Sequence, residues 1–468
     1  MKKIISAVLA SVLAAGSAVC AAAAGGFQVG DVNFDGQVSI KDSTMIQKHC
    51  AGYFRFSDAQ MKYADSDGNG KVNISDATHI QRRVAGYAQH KVYTDEEAAA
   101  AGNKSLANLG VTLLQKTRED SKNTLVSPLS VMYALAMTAN GAKGTTLKQM
   151  EDTLGIELDG MNKFLKNYQS DVNAPYCNDE KFSIANSIWC NTLYGQLTYN
   201  ESFKNTVTDN YSAEIKDLPF DNAALNQING WVKDNTDGMI ENILDQINPQ
   251  SYMYLVNALA FDAEWDEPYD PRYMVREGTF TNYDKSNSDV EYMSSEEFKY
   301  ITDGTAQGFI KYFKSHNYAF AALVPSGEAS LDDYVASLDG EKLVQTLSAV
   351  KEQKLEVKLP KFKADYGNDL AEILQDMGIT QAFDPESADF SGMISNAPFN
   401  PCIGAVIHKT AIDVNEKGTK AAAATAVEIK AGATPEEPIK LNFDRPFLYM
   451  LINTKTNTPF FIGTVDKL

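Results

Sequence analysis

Asp31, Asn33, Asp35, Gln37, Ser39 and Asp42 put an oxygen at the first, third, fifth, seventh, ninth and twelfth places of one short segment, with Gly36 at the sixth. Asp65, Asp67, Asn69, Lys71, Asn73 and Asp76 repeat the pattern around Gly70. A hard cation such as Ca2+ takes oxygen ligands at these places, the seventh through a backbone carbonyl, and needs glycine at the sixth for the sharp turn. Each segment therefore reads as a calcium loop, one ion apiece, ending in Asp instead of the Glu of the commoner pattern. The plainer reading is a pair of acidic turns on a solvated face. It does not account for the rest of the repeat, in which Thr44, Ile46, Gln47 and Ala51-Gly52-Tyr53 return as Thr78, Ile80, Gln81 and Ala85-Gly86-Tyr87.

A different kind of segment lies near the C-terminus. Ile412-Asp413-Val414 alternates as a half-buried strand does, and Glu416-Lys417-Gly418-Thr419 breaks the pattern with a glycine. A run of small residues follows, yet the alternation persists. Thr419, Ala421, Ala423, Thr425, Val427 and Ile429 fall on one face, and Lys420, Ala422, Ala424, Ala426, Glu428 and Lys430 on the other. This is a loop that could also become a sheet strand. An Ala-rich helix is the alternative, since Ala has the best helix propensity. The threonines, β-branched Val427 and Ile429, and the turn-like Ala431-Gly432-Ala433-Thr434-Pro435 speak for the convertible loop.

Catalytic patterns are scarce. There is no G-x-S-x-G elbow, no H-E-x-x-H and no phosphate-binding glycine loop. His408 sits in a strand-like apolar run and reads as a core histidine. Carboxylates are plentiful enough for a glycosidase pair, but no spacing singles one out.

The elements that must position these residues fall into two groups. Each acidic loop runs into a stretch with helical apolar spacing, Ile40–Cys50 and Ile74–Val84. Beyond residue 102, helices are expected at Leu106–Leu114, Val131–Ala139, Leu225–Thr236 and Asp369–Met377. Strands are expected at Phe182–Trp189, Tyr254–Phe261, Ala319–Val324, Lys354–Leu359, Ala405–Val414, Pro446–Ile452 and Pro459–Val465. Without a strict β-α-β alternation, this mixture predicts an α+β domain with large, mostly antiparallel sheets. Ala88 to about Gly102 reads as a tether or as the first turn of the next domain's opening helix.

Composition sets outer bounds. The 468-residue chain carries a formal net charge of −19, which disfavours nucleic acid and anionic membrane surfaces as partners. Lys2 and Lys3, the apolar run Ile4–Val19 and the small residues Ala21–Ala24 form a secretion signal, residues 1–24. The run is short for a membrane anchor, and Val19 before Cys20 makes a poor lipobox. Four further cysteines in so long a chain are no disulfide framework, although Cys177 and Cys190 could meet across a hairpin.

The N-terminal repeat, residues 27–90, resembles a dockerin. That resemblance implies a small all-α module with two calcium ions, anchored to a cohesin of a cellulosome-type scaffold. By the family pattern the cohesin contacts are Ile40, Lys41, Gln47 and Lys48, with Ile74, Ser75, Gln81 and Arg82 in the second copy. A linker, 91–102, follows.

Residues 103–468 resemble the serpin family in order along their length. The matching stretches include Asn123 to Ser130 and Trp231-Val232 with Thr236-Asp237-Gly238. They continue through Leu255-Val256-Asn257-Ala258 with Trp265, Leu359-Pro360-Lys361-Phe362, Glu416 to Thr425 and Asp444-Arg445-Pro446-Phe447. Asp262-Ala263 departs from the usual basic residue and glycine, and Lys420 from the usual glutamate. The resemblance implies an α+β fold of three sheets with surrounding helices and an exposed reactive loop. It implies a serine protease inhibitor, not an enzyme: the protease cuts the loop, which then inserts into the main sheet and traps the acyl-enzyme. The hinge would be Glu416, Gly418, Thr419, Ala421, Ala423 and Thr425. Ser127, Ser130, Asn257 and His408 would form a polar network under the main sheet. Lys361 and Glu416, with Trp265, would guard the loop's point of insertion. Family spacing from Glu416 puts the cut between Gly432 and Ala433, for an elastase- or subtilisin-like protease. A shift of two places puts it between Lys430 and Ala431, for a trypsin-like one. The other readings are a non-inhibitory binding module of the same fold and a dockerin-borne polysaccharide hydrolase.

Overall fold

The computed structural model describes residues 28–66, 70–84, 92–172, 180–195, 197–396, 400–419 and 437–468; the side chains of Arg82 and Tyr194 are also outside the description. The expected secretion signal, Asp67, Asn69, Cys177 and the loop from Lys420 to Glu436 therefore lie outside the described residues. The chain divides between Thr94 and Asp95 into two compact units.

The first unit is three helices, α1 (Ile40–Cys50), α2 (Asp58–Ala64) and α3 (Ile74–Val84). The outer two have the expected bounds. Ser39 caps α1 in a reciprocal box with Asp42, and Ser57 caps α2 with Gln60. Val32, Ile46, Phe56, Ala64, Ala77 and Ile80 make a small core. The two copies of the repeat meet at equivalent residues, where the Ser43 hydroxyl donates to the Ala77 carbonyl at 2.8 Å.

The second unit opens on α4 (Asp95–Thr117), in which Ala98 and Gly102 are already buried. Residues 95–102 are the first turns of this helix, the second of the two readings offered for the stretch, so the linker is shorter than 91–102. The acidic Asp95, Glu96 and Glu97 at its N-terminus suit the helix dipole, and alanines follow. The other helices are α5 (Pro128–Ala139), α6 (Gly144–Leu154), α7 (Leu158–Val172), α8 (Glu201–Tyr211), α9 (Asn222–Asn235), α10 (Pro271–Met274), α11 (Leu331–Ala336), α12 (Gly340–Ser348) and α13 (Ala371–Asp376). Helix α5 is apolar all round and buried at every residue, touching both sheets.

The strands are β1 (Thr124–Val126), β2 (Glu180–Asn191), β3 (Glu214–Leu218), β4 (Met253–Ala263), β5 (Val275–Thr281), β6 (Asn287–Thr302) and β7 (Ala306–Tyr312). They continue with β8 (Tyr318–Pro325), β9 (Lys351–Pro360), β10 (Phe362–Asp369), β11 (Ala405–Val414), β12 (Ile439–Asn442), β13 (Phe447–Asn453) and β14 (Thr458–Val465). One sheet runs β10-β11-β4-β2-β3. The other runs β1-β14-β13-β8-β7-β6-β9-β12, with β5 also on β6. Strand β6 joins two of the three expected sheets. Its start pairs with β5, its last residues with β7, and a register shift near Glu297 interrupts its ladder to β9.

Candidate functional site

The five-stranded sheet has an open seam at its centre. Strands β4 and β11 are parallel neighbours, yet they pair only through Ala405↔Tyr254, Val406↔Leu255 and Ile407↔Val256. Beyond that point, among the described residues, no ladder joins Asn257–Ala263 to His408–Val414. Each strand stays bonded on its other side, β4 to β2 and β11 to β10. The seam therefore exposes two facing rows of backbone donors and acceptors, which a further strand could satisfy.

At the mouth of the seam the chain leaving β11 turns back. The Asn415 N–H donates to the Gly418 carbonyl, and Gly418 bridges Glu264 in antiparallel sense. The Thr419 N–H donates to the Ala263 carbonyl at 2.9 Å, and the Ala263 N–H donates to the Thr419 hydroxyl at 3.0 Å. Thr419 is 3 % exposed. This hinge residue is thus already seated at the top of the seam. A Cβ on Gly418 would stand 2.0 Å from the Ala263 carbonyl oxygen, so only glycine passes there. Ala421, Ala423 and Thr425, and both candidate cut sites, lie outside the described residues.

Trp265 and Tyr269 clasp this turn. The Trp265 indole N–H donates to the Asn415 carbonyl at 2.8 Å, its backbone N–H to the Lys417 carbonyl, and the Tyr269 N–H to the Glu416 carbonyl. The indole is fully buried and stacks on Phe313 at 4.7 Å. Lys361 pairs with Glu416 at 2.9 Å and with Glu291 at 3.2 Å. Partial burial pushes the Glu416 carboxyl up, but its bond to Lys361 prevails and holds it below the ordinary range. Lys361, Glu416 and Trp265 therefore do meet at the mouth.

The polar groups under the seam split into two. Ser127 caps α5: its hydroxyl accepts the Ser130 N–H and donates to the Phe460 carbonyl. The Ser127 N–H donates to His408 Nε2 at 3.0 Å, across from the sheet. Burial drives the His408 pKa down to about 4, so the ring is neutral and its proton is on Nδ1. Asn257 does not join them. Its amide donates to Asn186 Oδ1 at 2.6 Å, and Asn186 donates in turn to the Tyr211 carbonyl. Asn257 Oδ1 is buried with no hydrogen-bond partner. Asn186 escaped the sequence reading, because an Asn inside the Phe182–Trp189 strand carries no signal of its own.

In the first unit, Asp42 Oδ1 accepts the N–H of Val32 and Asn33, while Oδ2 accepts that of Ser39. Asp76 does the same for Ser66 and Asn73. Asp31, Asp42 and Asp76 are fully buried, and Asp65 Oδ1 is buried without a partner. Buried carboxylates call for a cation, so these loops fit calcium. The Ser39 hydroxyl caps α1 and donates to Asp42. Amide, hydroxyl and carbonyl oxygens would complete the set. Ile40, Lys41, Lys48, Ile74 and Ser75 are exposed, with Gln47 and Gln81 half-buried. Ile40 and Ile74, at 52 % and 57 % exposure, are apolar residues with no core to enter.

Among the described residues, Cys50, Cys190 and Cys402 are in no disulfide. No helix among the described residues is long and apolar enough to cross a membrane.

Residues 104–468 match the family described as serpin (serine protease inhibitor), and residues 29–85 the dockerin type I domain. The chain is 32 % identical to Serpin B6 of Bos taurus over 75 % of its own length and 96 % of that protein. It is 31 % identical to human Serpin B9 over 73 % of its length and 92 % of that protein. Among solved structures, the native state of the thermophilic serpin tengpin matches at 39 % identity and a TM-score of 0.74, covering 78 % of this chain and 94 % of that one. Human thyroxine-binding globulin complexed with thyroxine matches at 25 % identity and a TM-score of 0.71, covering 79 % and 99 %.

Proposed function

The chain belongs to the serpin family and carries a type I dockerin domain, and on that premise we propose that it is a secreted suicide inhibitor of a serine protease, docked to a cellulosome-type complex. The observation that carries the reading is the open seam between β4 and β11 with Thr419 seated at its mouth. Protease attack on the loop forms an acyl-enzyme ester. The freed loop then inserts from Thr419 downward as a new strand, drawing the protease along before water releases it. Its ladder bonds are worth about 1 kcal/mol each. Burying Val427 and Ile429 adds about 2 kcal/mol apiece. The total is on the order of 10–20 kcal/mol. Hydrolysis competes with insertion, so small residues at Ala421 and Ala423 keep the seam quick to close.

In this reading residues 1–24 direct secretion and the cut falls between Gly432 and Ala433, so the target is subtilisin- or elastase-like. The dockerin holds two calcium ions and meets its cohesin through Ile40, Lys41, Gln47 and Lys48 or through the equivalent residues of the second copy. A thyroxine-binding globulin shares the fold, so the fold alone does not make an inhibitor; the small-residue hinge favours inhibition here.

Incubation with subtilisin, elastase and trypsin tests this. A covalent complex that survives denaturing gels is expected, with cleavage after Gly432, and Ala421→Asp or Ala423→Arg should turn the protein into a substrate. Clean cleavage of the natural chain without complex sinks the inhibitor reading. Cleavage after Lys430 moves the target class to trypsin-like enzymes.

A further inference from the structure

Beneath the clasp lies a buried charge that none of the roles above uses. Lys311, on β7, has a side chain only 5 % exposed, and its ammonium meets Glu297 Oε1 of β6 at 2.6 Å. The Ser295 hydroxyl donates to the same Glu297 oxygen at 2.8 Å. The ammonium stands 4.8 Å from the centre of the Tyr269 ring and 5.9 Å from that of Trp265. These are the two residues whose N–H groups hold the carbonyls of Asn415, Glu416 and Lys417. A buried ion pair is a poor way to gain stability, because apolar residues of the same size serve as well or better. A cation against two ring faces, anchored by a carboxylate, does fix where the rings stand.

We propose that the Lys311–Glu297 pair is a positioning device that seats Tyr269 and Trp265 and so keeps the 415–418 turn clasped until the loop is cut. The inference rests on the insertion reading. It adds that the nine-stranded sheet controls when the five-stranded one opens. Without the cation the rings lose their seat, the turn slips, and the uncut loop enters the seam early.

The test measures spontaneous insertion of uncut protein, read as the fraction that becomes resistant to heat and urea on prolonged incubation. Lys311→Met keeps the stem and removes the charge. Lys311→Arg keeps the charge. Leu343→Ala, in α12, is a core control chosen for a comparable loss of melting temperature. Lys311→Met should convert about tenfold faster than the natural protein, Arg should restore much of the delay, and the control should not convert faster. If the Met variant does not fold, Glu297→Gln carries the same expectation. Conversion no faster than in the natural protein, including no conversion by either, overturns the proposal, as does equal acceleration in the control. The readout needs no protease, so failure to form a covalent complex counts against the inhibitor reading alone.

Discussion

His408 joins the polar interior to the acidity of the medium. It is buried and neutral, and it accepts the Ser127 N–H. Its pKa is about 4 in the fold against an ordinary value of 6.5. Because the folded value is depressed, the unfolded chain binds the proton first as the pH falls. Stability is complete above pH 6.5 and declines until pH 4, a loss of about 3 kcal/mol. The urea midpoint of the second unit should drop over that window, and His408→Gln, which keeps an acceptor for Ser127, should flatten the drop. An unchanged slope in the variant would remove His408 as its source. Single residues were legible in the sequence where a local pattern named them, as with the loop ligands or Trp265. Lys311 was not. It follows Phe309-Ile310 in a stretch where a lysine reads as an outward strand position, and only the packing of Trp265 and Tyr269 over it reveals that it is buried.

The hinge works as an element because Gly418 already bridges Glu264 and Thr419 already bonds Ala263 at one end of the seam. Gly418→Ala would drive a Cβ into the Ala263 carbonyl. The bridge to Glu264 must then open, and the bonds from the Thr419 N–H to the Ala263 carbonyl and from the Ala263 N–H to the Thr419 hydroxyl go with it. Losing those bonds, at about 1 kcal/mol each, should speed amide exchange at Ala263 and Thr419 by roughly tenfold or more. Unchanged protection at both amides would mean that the hinge does not depend on this approach. Elements were readable in proportion to the local regularity of their signal. Helices Ile40–Cys50 and Ile74–Val84 and strand Ala405–Val414 have the bounds that their periodicity predicted. The start of α4 at Asp95 was hidden because acidic and alanine residues suit a tether as well as a helix. The order of strands had no local signal at all. That β11 lies beside β4 for three pairs and then parts from it is a long-range fact, set by β2 and β10 holding the outer edges.

At the scale of the whole molecule, two units with separate cores should answer separately to calcium. Among its described residues the first has a small core of buried side chains around buried Asp31, Asp42 and Asp76. A unit this small buries too little apolar surface to carry three desolvated carboxylates without a counter-ion. Metal binding is then part of its folding free energy, about 4 kcal/mol at a thousandfold excess over the dissociation constant. The second unit has two large sheets, a fully buried α5 and no calcium loop in its sequence. Chelation should therefore abolish one calorimetric transition and leave the other in place. Asp42→Ala and Asp76→Ala should each weaken calcium binding in titration, since each carboxylate organises its own loop. Cohesin capture should fail under chelation while complex formation with the protease continues. Were protease trapping lost as well, the two units would be energetically coupled, and the separation between Thr94 and Asp95 would not be a division of function.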